Sequence, residues 1–473
     1  MDKVSNNALE PTRPLPCDFD TYLPWACQQL GLNATVIVER VIQNEYVSAV
    51  QTDRSKTKNK AKAVQSRTEV TSDQDRDDSR LQLYEYNANI IKIFAVYNNN
   101  GDLVEIKFDR NRQILRVVFK IINLIIQFHP HLTSITINRG LDKYILYELC
   151  KCLTLSNVTE VCLDNTFVPE ANYNILLENQ STLKHLSLAR CRIADLVVNN
   201  IAAMLVYPLP ASKTLRTLNL SSNKISDEGA KSLGNILRSN RTLCYLNLAD
   251  NRITDDGASS ILNNLQQFPM TYDEVMSGRT RYMIFLKEKR ELIKKIVIDL
   301  KAGDFDKKPK RKPTRPTTAS SGKKGKVEKE TSLRGFPEMD GKSLVNMEMV
   351  YLDKAEVIAD DMLGEFVDPF CLSNTIVTDG ISYCCGNNTL CCLNLAYNDV
   401  SFFTVKQLLS VVYDQKLLDR KPRGLINVNI EGNNIPLSCK ELAHLDNLLE
   451  MGLMVHSKRM SVVKKKPAVK TGK

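Results

Sequence analysis

The sequence predicts an α/β fold in which short strand–turn–helix units repeat and stack into a right-handed solenoid, or horseshoe. Parallel strands would line its concave side and helices its convex side, with a partly disordered insertion interrupting the array. Three observations predict this: a leucine pattern closed by asparagine, a period near 28 residues, and about 120 central residues that break the pattern.

The pattern is Leu-x-x-Leu-x-Leu-x-x-Asn. Two copies are nearly ideal: Leu215, Leu218, Leu220, Asn223 and Ile225, then Leu243, Leu246, Leu248, Asn251 and Ile253. Weaker copies begin at Leu103, Leu132, Val158 and Leu183, and two more at Leu390 and Leu425, giving eight candidate units. Leu218 and Leu220 are two apart, so on a strand they share one face, which the array must bury. Asn223, Asn251, Asn398 and Asn433 are then structural, because a turn leaves backbone groups unpaired that a side-chain amide can satisfy. Ser226 or Asp227 caps the next helix, whose apolar stripe is Ala230, Leu233, Ile236 and Leu237. One unit cannot bury its own face, so stacked neighbours share a continuous core. The Asp-x-Gly-Ala helix start and this period resemble the ribonuclease-inhibitor-like subclass of leucine-rich repeats.

Charge is distributed unevenly. The chain carries +10, but residues 301–326 hold +8 and residues 456–473 hold +7, so the remainder is mildly acidic at −5. A single Trp argues against an aromatic nucleic-acid platform. The first 20 residues lack a secretory pattern, and no apolar run is long enough to span a bilayer. Thirteen cysteines at irregular spacing then read as reduced thiols, and the expectation is a cytoplasmic protein that is not integral to a membrane.

These features divide the chain into five parts. Residues 1–80 form an N-terminal extension, partly helical over 19–47 and then disordered. Residues 81–265 hold the first block of repeats, with a strand over 81–97 as its cap. Residues 266–389 are the insertion: a helix opened by the capping-box residues Thr271 and Glu274, a basic disordered loop, and an acidic segment returning to the array. Residues 390–455 hold the last two repeats and a C-terminal cap, and residues 456–473 a basic disordered tail.

The layout resembles the leucine-rich repeat-containing protein 71 family. The resemblance rests on residues 243–265 followed by Phe268, Pro269, Met270, Thr271, Tyr272, Asp273, Glu274 and Val275. A Lys-rich insert, Glu356-Val357 and Val367-Asp368-Pro369 come next, and repeats resume at Gly386 to Leu395 and Gly424 to Ile430. It covers roughly residues 103–439; the short insert and the degenerate first three units depart from the pattern. The resemblance implies a protein without established enzymatic activity, and its similarity to repeat proteins of cilia and flagella implies an axonemal setting.

No catalytic, cofactor or metal site emerges. The segment from Gly335 to Ser343 places five residues between its glycines where a phosphate-binding loop needs four. Cys384, Cys385, Cys391 and Cys392 lack zinc spacing, and adjacent cysteines on a strand should face opposite ways. The five histidines make no metal or triad spacing. The default binding surface is the concave face, with Thr217, Asn219, Tyr245, Asn247, Asn394 and Asn429 as candidate contacts, against a plain solvated sheet with an amide ladder. Lys307, Lys308, Lys310, Arg311, Lys312, Lys464, Lys465 and Lys466 are candidate electrostatic contacts for acidic surfaces such as tubulin tails. The reading is a non-catalytic protein-binding scaffold; the alternative is a regulator that binds an enzyme on the concave face. Nucleic acid is disfavoured as a partner.

Overall fold

The computed structural model describes residues 13–43, 90–178, 182–303, 341–418, 420–436 and 438–463. Contacts divide the chain into two units, one of Met1–Phe268 with Tyr383–Lys473 and one of Pro269–Ser382.

The first unit is built on a sheet that begins earlier than the repeats. Helix α1 (Phe19–Gln29) supplies the helical part expected within 19–47 and leads into β1 (Thr35–Ile42), a strand not anticipated from the sequence. The run Thr-Val-Ile-Val-Glu-Arg-Val-Ile is rich in β-branched residues, which pack well on a pleated surface. Strand β1 pairs in parallel with β2 (Ile90–Tyr97), so part of the N-terminal extension belongs to the same sheet as the repeats. Strand β2 runs antiparallel to β3 (Leu103–Phe108) through a turn at Gly101. From β3 onward each neighbour is parallel: β4 (Ser134–Ile137), β5 (Glu160–Cys162), β6 (His185–Ser187), β7 (Thr217–Asn219) and β8 (Tyr245–Asn247). The two-residue β9 (Phe268–Pro269), β10 (Thr375–Thr378) and β11 (Ile381–Cys384) form a separate sheet. Strands β12 (Cys392–Asn394) and β13 (Asn427–Asn429) then continue the large one.

Strand β12 pairs directly with β8, placing Leu393 opposite Leu246 and Asn394 opposite Asn247. The register therefore continues across the insertion as though the two repeats were consecutive. Each strand puts a central apolar residue inward: Leu218, Leu246 and Leu393 are fully or almost fully buried.

Helices cover that inward side. They are α2 (Arg116–Ile125), α3 (Lys143–Leu155), α4 (Asp195–Met204), the short α5 (Pro210–Thr214), α6 (Asp227–Leu237) and α7 (Asp255–Leu262). After β5 the described residues form a 3-10 turn, Tyr173–Leu177, in place of a helix, as befits a degenerate unit.

Two sets of side chains join successive repeats. The Asn223 amide donates to the Leu188 and Leu220 carbonyls and accepts from the Cys191 and Ile193 N–H groups, all at 2.9–3.0 Å. Asn251, Asn398 and Asn433 repeat the arrangement, and Asn398 reaches back across the insertion to Leu248 and Ile253.

The second set had not been anticipated. Ser226 or Asp227 was expected to cap its own helix, yet Ser226, at the N-cap, makes no side-chain cap and Asp227 serves the next repeat. The Asp227 carboxylate accepts from the Thr254 N–H at 2.8 Å, the Thr254 hydroxyl at 2.7 Å and the Gly257 N–H at 3.1 Å. Asp195 does the same for Ser226 and Gly229 one repeat earlier. Asp255 does so for Ser401 and Thr404 beyond the insertion. Each carboxylate thus meets the positive N-terminal end of the following helix. This explains the recurring glycine: a Cβ on Gly257 would lie 2.3 Å from Asp227 Oδ1, and one on Gly229 would lie 2.6 Å from Asp195 Oδ1.

The repeats continue into α10 (Phe402–Leu417) and α11 (Lys440–Val463). The basic tail had been expected to be disordered from residue 456, but α11 runs to Val463. Leu445 and Leu449 bury its first half in the core, and helix extends readily from an anchored start.

The second unit holds α8 (Tyr272–Lys301) and α9 (Gly341–Leu363). Thr271 and Glu274 close a reciprocal capping box at the start of α8. Ile296 packs on Ala355 and Ala359, so α9 lies along α8. The Arg281 guanidinium holds the buried Asp368 carboxylate at 2.6 and 3.1 Å.

Candidate functional site

The sheet face opposite the helices carries two polar columns set by register. One runs Lys107, Thr136, Cys162, Ser187, Asn219, Asn247, Asn394, Asn429, and the other Glu105, Ser134, Glu160, His185, Thr217, Tyr245, Cys392, Asn427. Side chains alternate along each strand, so both columns point away from the buried leucines.

Part of this face is hollowed. A groove of about 570 Å³ runs from Val96 and Val104 to Tyr245, and Gln43, after β1, helps to line it. Of the six candidates, Thr217, Asn219 and Tyr245 line it, whereas Asn247, Asn394 and Asn429 do not. Among the described residues its charged lining is Glu105 and Glu160, with no Lys or Arg.

Hydrogen bonds knit the groove floor. Thr136 donates to Glu105 at 2.8 Å, Ser187 to Asp164 at 2.6 Å, and the Asn219 amide to Ser187 at 2.9 Å. His185 Nδ1 lies 2.9 Å from the Thr217 hydroxyl, and its Nε2 lies 3.8 Å from Glu160. Burial, with Asp164 beside it, pushes the Cys162 thiol up to about 12, which leaves it an unreactive thiol at neutral pH.

No amide ladder runs along the asparagines. Asn219, Asn247, Asn394 and Asn429 each turn the side-chain carbonyl back to accept from the N–H two residues on, at 3.0–3.2 Å. That local bond satisfies the oxygen without a neighbour. The NH2 groups of Asn247, Asn394 and Asn429 make no hydrogen bond among the described residues, so they remain available to a partner.

Glu105, Thr136, Glu160, His185 and Ser187 also line the groove, and nothing in the repeat pattern singles them out. Gln43 and Val96, which lie outside the repeat pattern, line it with them.

The remaining candidates fall elsewhere. Lys307, Lys308, Lys310, Arg311, Lys312, Lys464, Lys465 and Lys466 lie outside the described residues, as does most of the segment from Gly335; Gly341 to Ser343 open α9. Cys391 and Cys392 do not diverge as expected: their Sγ atoms are 3.9 Å apart, because Cys391 precedes β12 and escapes strict alternation. Among the described residues no group of His, Cys, Asp or Glu could hold a metal ion, and no helix is long and apolar enough to cross a membrane. His129 is buried in the structural core, with Nε2 3.1 Å from the Pro16 carbonyl and its ring edge-on to Phe19.

Residues 211–234 and 239–262 match a family model described as leucine rich repeat. These two spans contain β7 with most of α6 and β8 with α7, the repeats in which both the asparagine and the aspartate links are complete. No curated protein matches the chain. The chain carries leucine-rich repeats in an α/β repeat fold, a type of module that ordinarily binds other proteins.

Proposed function

We propose that this chain is a non-catalytic scaffold, a solenoid that takes a protein partner on its concave sheet. The observation carrying this reading is the groove between Val104 and Tyr245. Its walls mix polar side chains with apolar surface, Val96, Val104, Val161 and Leu186 among them, its charge is Glu105 and Glu160, and its far end offers Tyr245, a residue type enriched at binding hot spots. Such a lining suits a polar segment bearing a Lys or Arg that can meet the two carboxylates.

Two further parts of the proposal rest on the sequence. The basic segments at 301–326 and 456–473 strengthen attachment to an acidic surface such as tubulin tails, and binding should weaken with salt or with deletion of residues 307–326. The resemblance to the leucine-rich repeat-containing protein 71 family supports a place in a ciliary or flagellar assembly.

Quantitative proximity labelling with the full chain and a Glu160→Lys/Tyr245→Ala variant tests the groove. The expected outcome is a discrete set of proteins whose labelling falls about tenfold in the variant, equivalent to about 1.4 kcal/mol of binding. An identical labelling profile for the two chains would overturn the groove as the docking site.

A further inference from the structure

Helix α8 carries a stripe that its packing leaves unused. Ile296 is buried against α9, and Leu292, Ile293 and Leu300 lie partly buried along the same side. With 3.6 residues per turn, the opposite line passes through Met276, Arg279, Met283, Lys287, Arg290 and Lys294. All six are exposed, Met283 to 64%. The line holds four cations, two methionines and no carboxylate. The acids of α8 lie off it; the nearest, Glu291, pairs with Lys294 at 3.0 Å in an exposed contact that competes weakly with a partner.

Intervals of three and four residues are those at which one helix meets another. The line from Arg279 to Lys294 is about 22 Å long at 1.5 Å per residue. Methionine offers an adaptable apolar contact at one end, and the cations follow at the other. We infer that this stripe docks an acidic helical segment of a partner protein, apolar at one end and bearing carboxylates at matching intervals along the rest. A bilayer fits less well, because Arg290 and Lys294 share the line with the methionines, whereas surface-bound helices separate the two kinds of residue. A nucleic acid fits less well because the cationic part of the line has no aromatic side chain on which bases could stack. The stripe is distinct from the sheet groove and stands or falls independently of it.

The test uses the full chain and a labelled synthetic helix of about 20 residues (~30 Å) with leucines at one end and glutamates at three-and-four spacing. Vesicles of phosphatidylserine and phosphatidylcholine run alongside. The Lys287→Glu/Arg290→Glu/Lys294→Glu variant is expected to bind the peptide about tenfold or more weakly, with the basic insert retained. The Gln triple variant, which removes charge without adding any, should fall between, and circular dichroism should show both folded. Tyr245→Ala should leave peptide binding unchanged, which separates this stripe from the groove. Equal affinity in wild type and the Glu variant would overturn the inference, as would absent peptide binding. Vesicle binding lost in the Glu variant while peptide binding persists would assign the stripe to a membrane instead.

Discussion

Asn223 and Asp227 show how much one side chain can hold in a repeat. Asn223→Ala would strand two N–H groups and the Leu188 carbonyl, while the Leu220 carbonyl keeps the Asn251 amide at 3.1 Å. With about 1–3 kcal/mol for each buried group left unpaired, partly offset by relaxation, the expected loss is about 2–4 kcal/mol by denaturant titration. An unchanged midpoint would refute the linking role. Three groups make stability depend on pH. Burial would raise the Asp255 carboxyl, but hydrogen bonds from Ser401 and Thr404 outweigh it and hold it below its ordinary value. Burial likewise opposes, and Arg116 and Lys151 overcome, the shift that leaves Glu148 low. His129 is held below its ordinary 6.5, chiefly by burial. For all three the unfolded chain binds protons first on acidification, so stability present at neutral pH is lost as pH falls. The melting temperature should decline from about pH 6.5 through His129 and again below about pH 4.5 through the carboxyls. A melting temperature that holds or rises from pH 7 to pH 3 would contradict this. The asparagine role was legible because its partners sit in the adjoining turn. The aspartate role was not, since each Asp also looks like an acid opening its own helix, and its partner lies about one repeat downstream.

Elements of strong period were readable, and those fixed by their neighbours were not. The strand–helix alternation around β7 and β8 follows from leucine spacing alone. Strand β1 has no repeat to belong to; its β-branched run becomes a strand because β2 offers a parallel edge. The end of α11 was hidden by composition, since a Lys-rich sequence gives no sign that an apolar anchor upstream will carry helix into it. Helix α7 supplies a test at this scale. Gly257→Val would drive a branched side chain into the Asp227 carboxylate, so it should destabilise by about 2 kcal/mol or more, mainly at the α6–α7 junction. Hydrogen exchange should speed in both helices; exchange confined to α7 would show that the aspartate link carries little.

At the scale of the molecule, the insertion departs from and returns to one place. The Asn387 N–H donates to the Asn264 carbonyl at 2.9 Å, and β8 pairs β12 without a shift in register. Replacing residues 266–386 by a short Gly-Ser link should therefore leave the repeats folded and cooperative, with the midpoint little changed. Loss of a cooperative transition would show that the array depends on its insertion. The groove was only half legible because its columns follow from alternation, while Gln43 and Val96, which also line it, lie outside the repeat pattern. The closed register also has a consequence in time. Ile253 and Asn398 touch across 145 residues of chain. At about 5–20 residues per second, roughly 7–30 s of synthesis separate them, so β8 must wait at a bare edge before β12 exists. The block up to β8 has to hold itself together through that interval on its own core, and a nascent chain halted before residue 390 should already resist protease across β3 to β8.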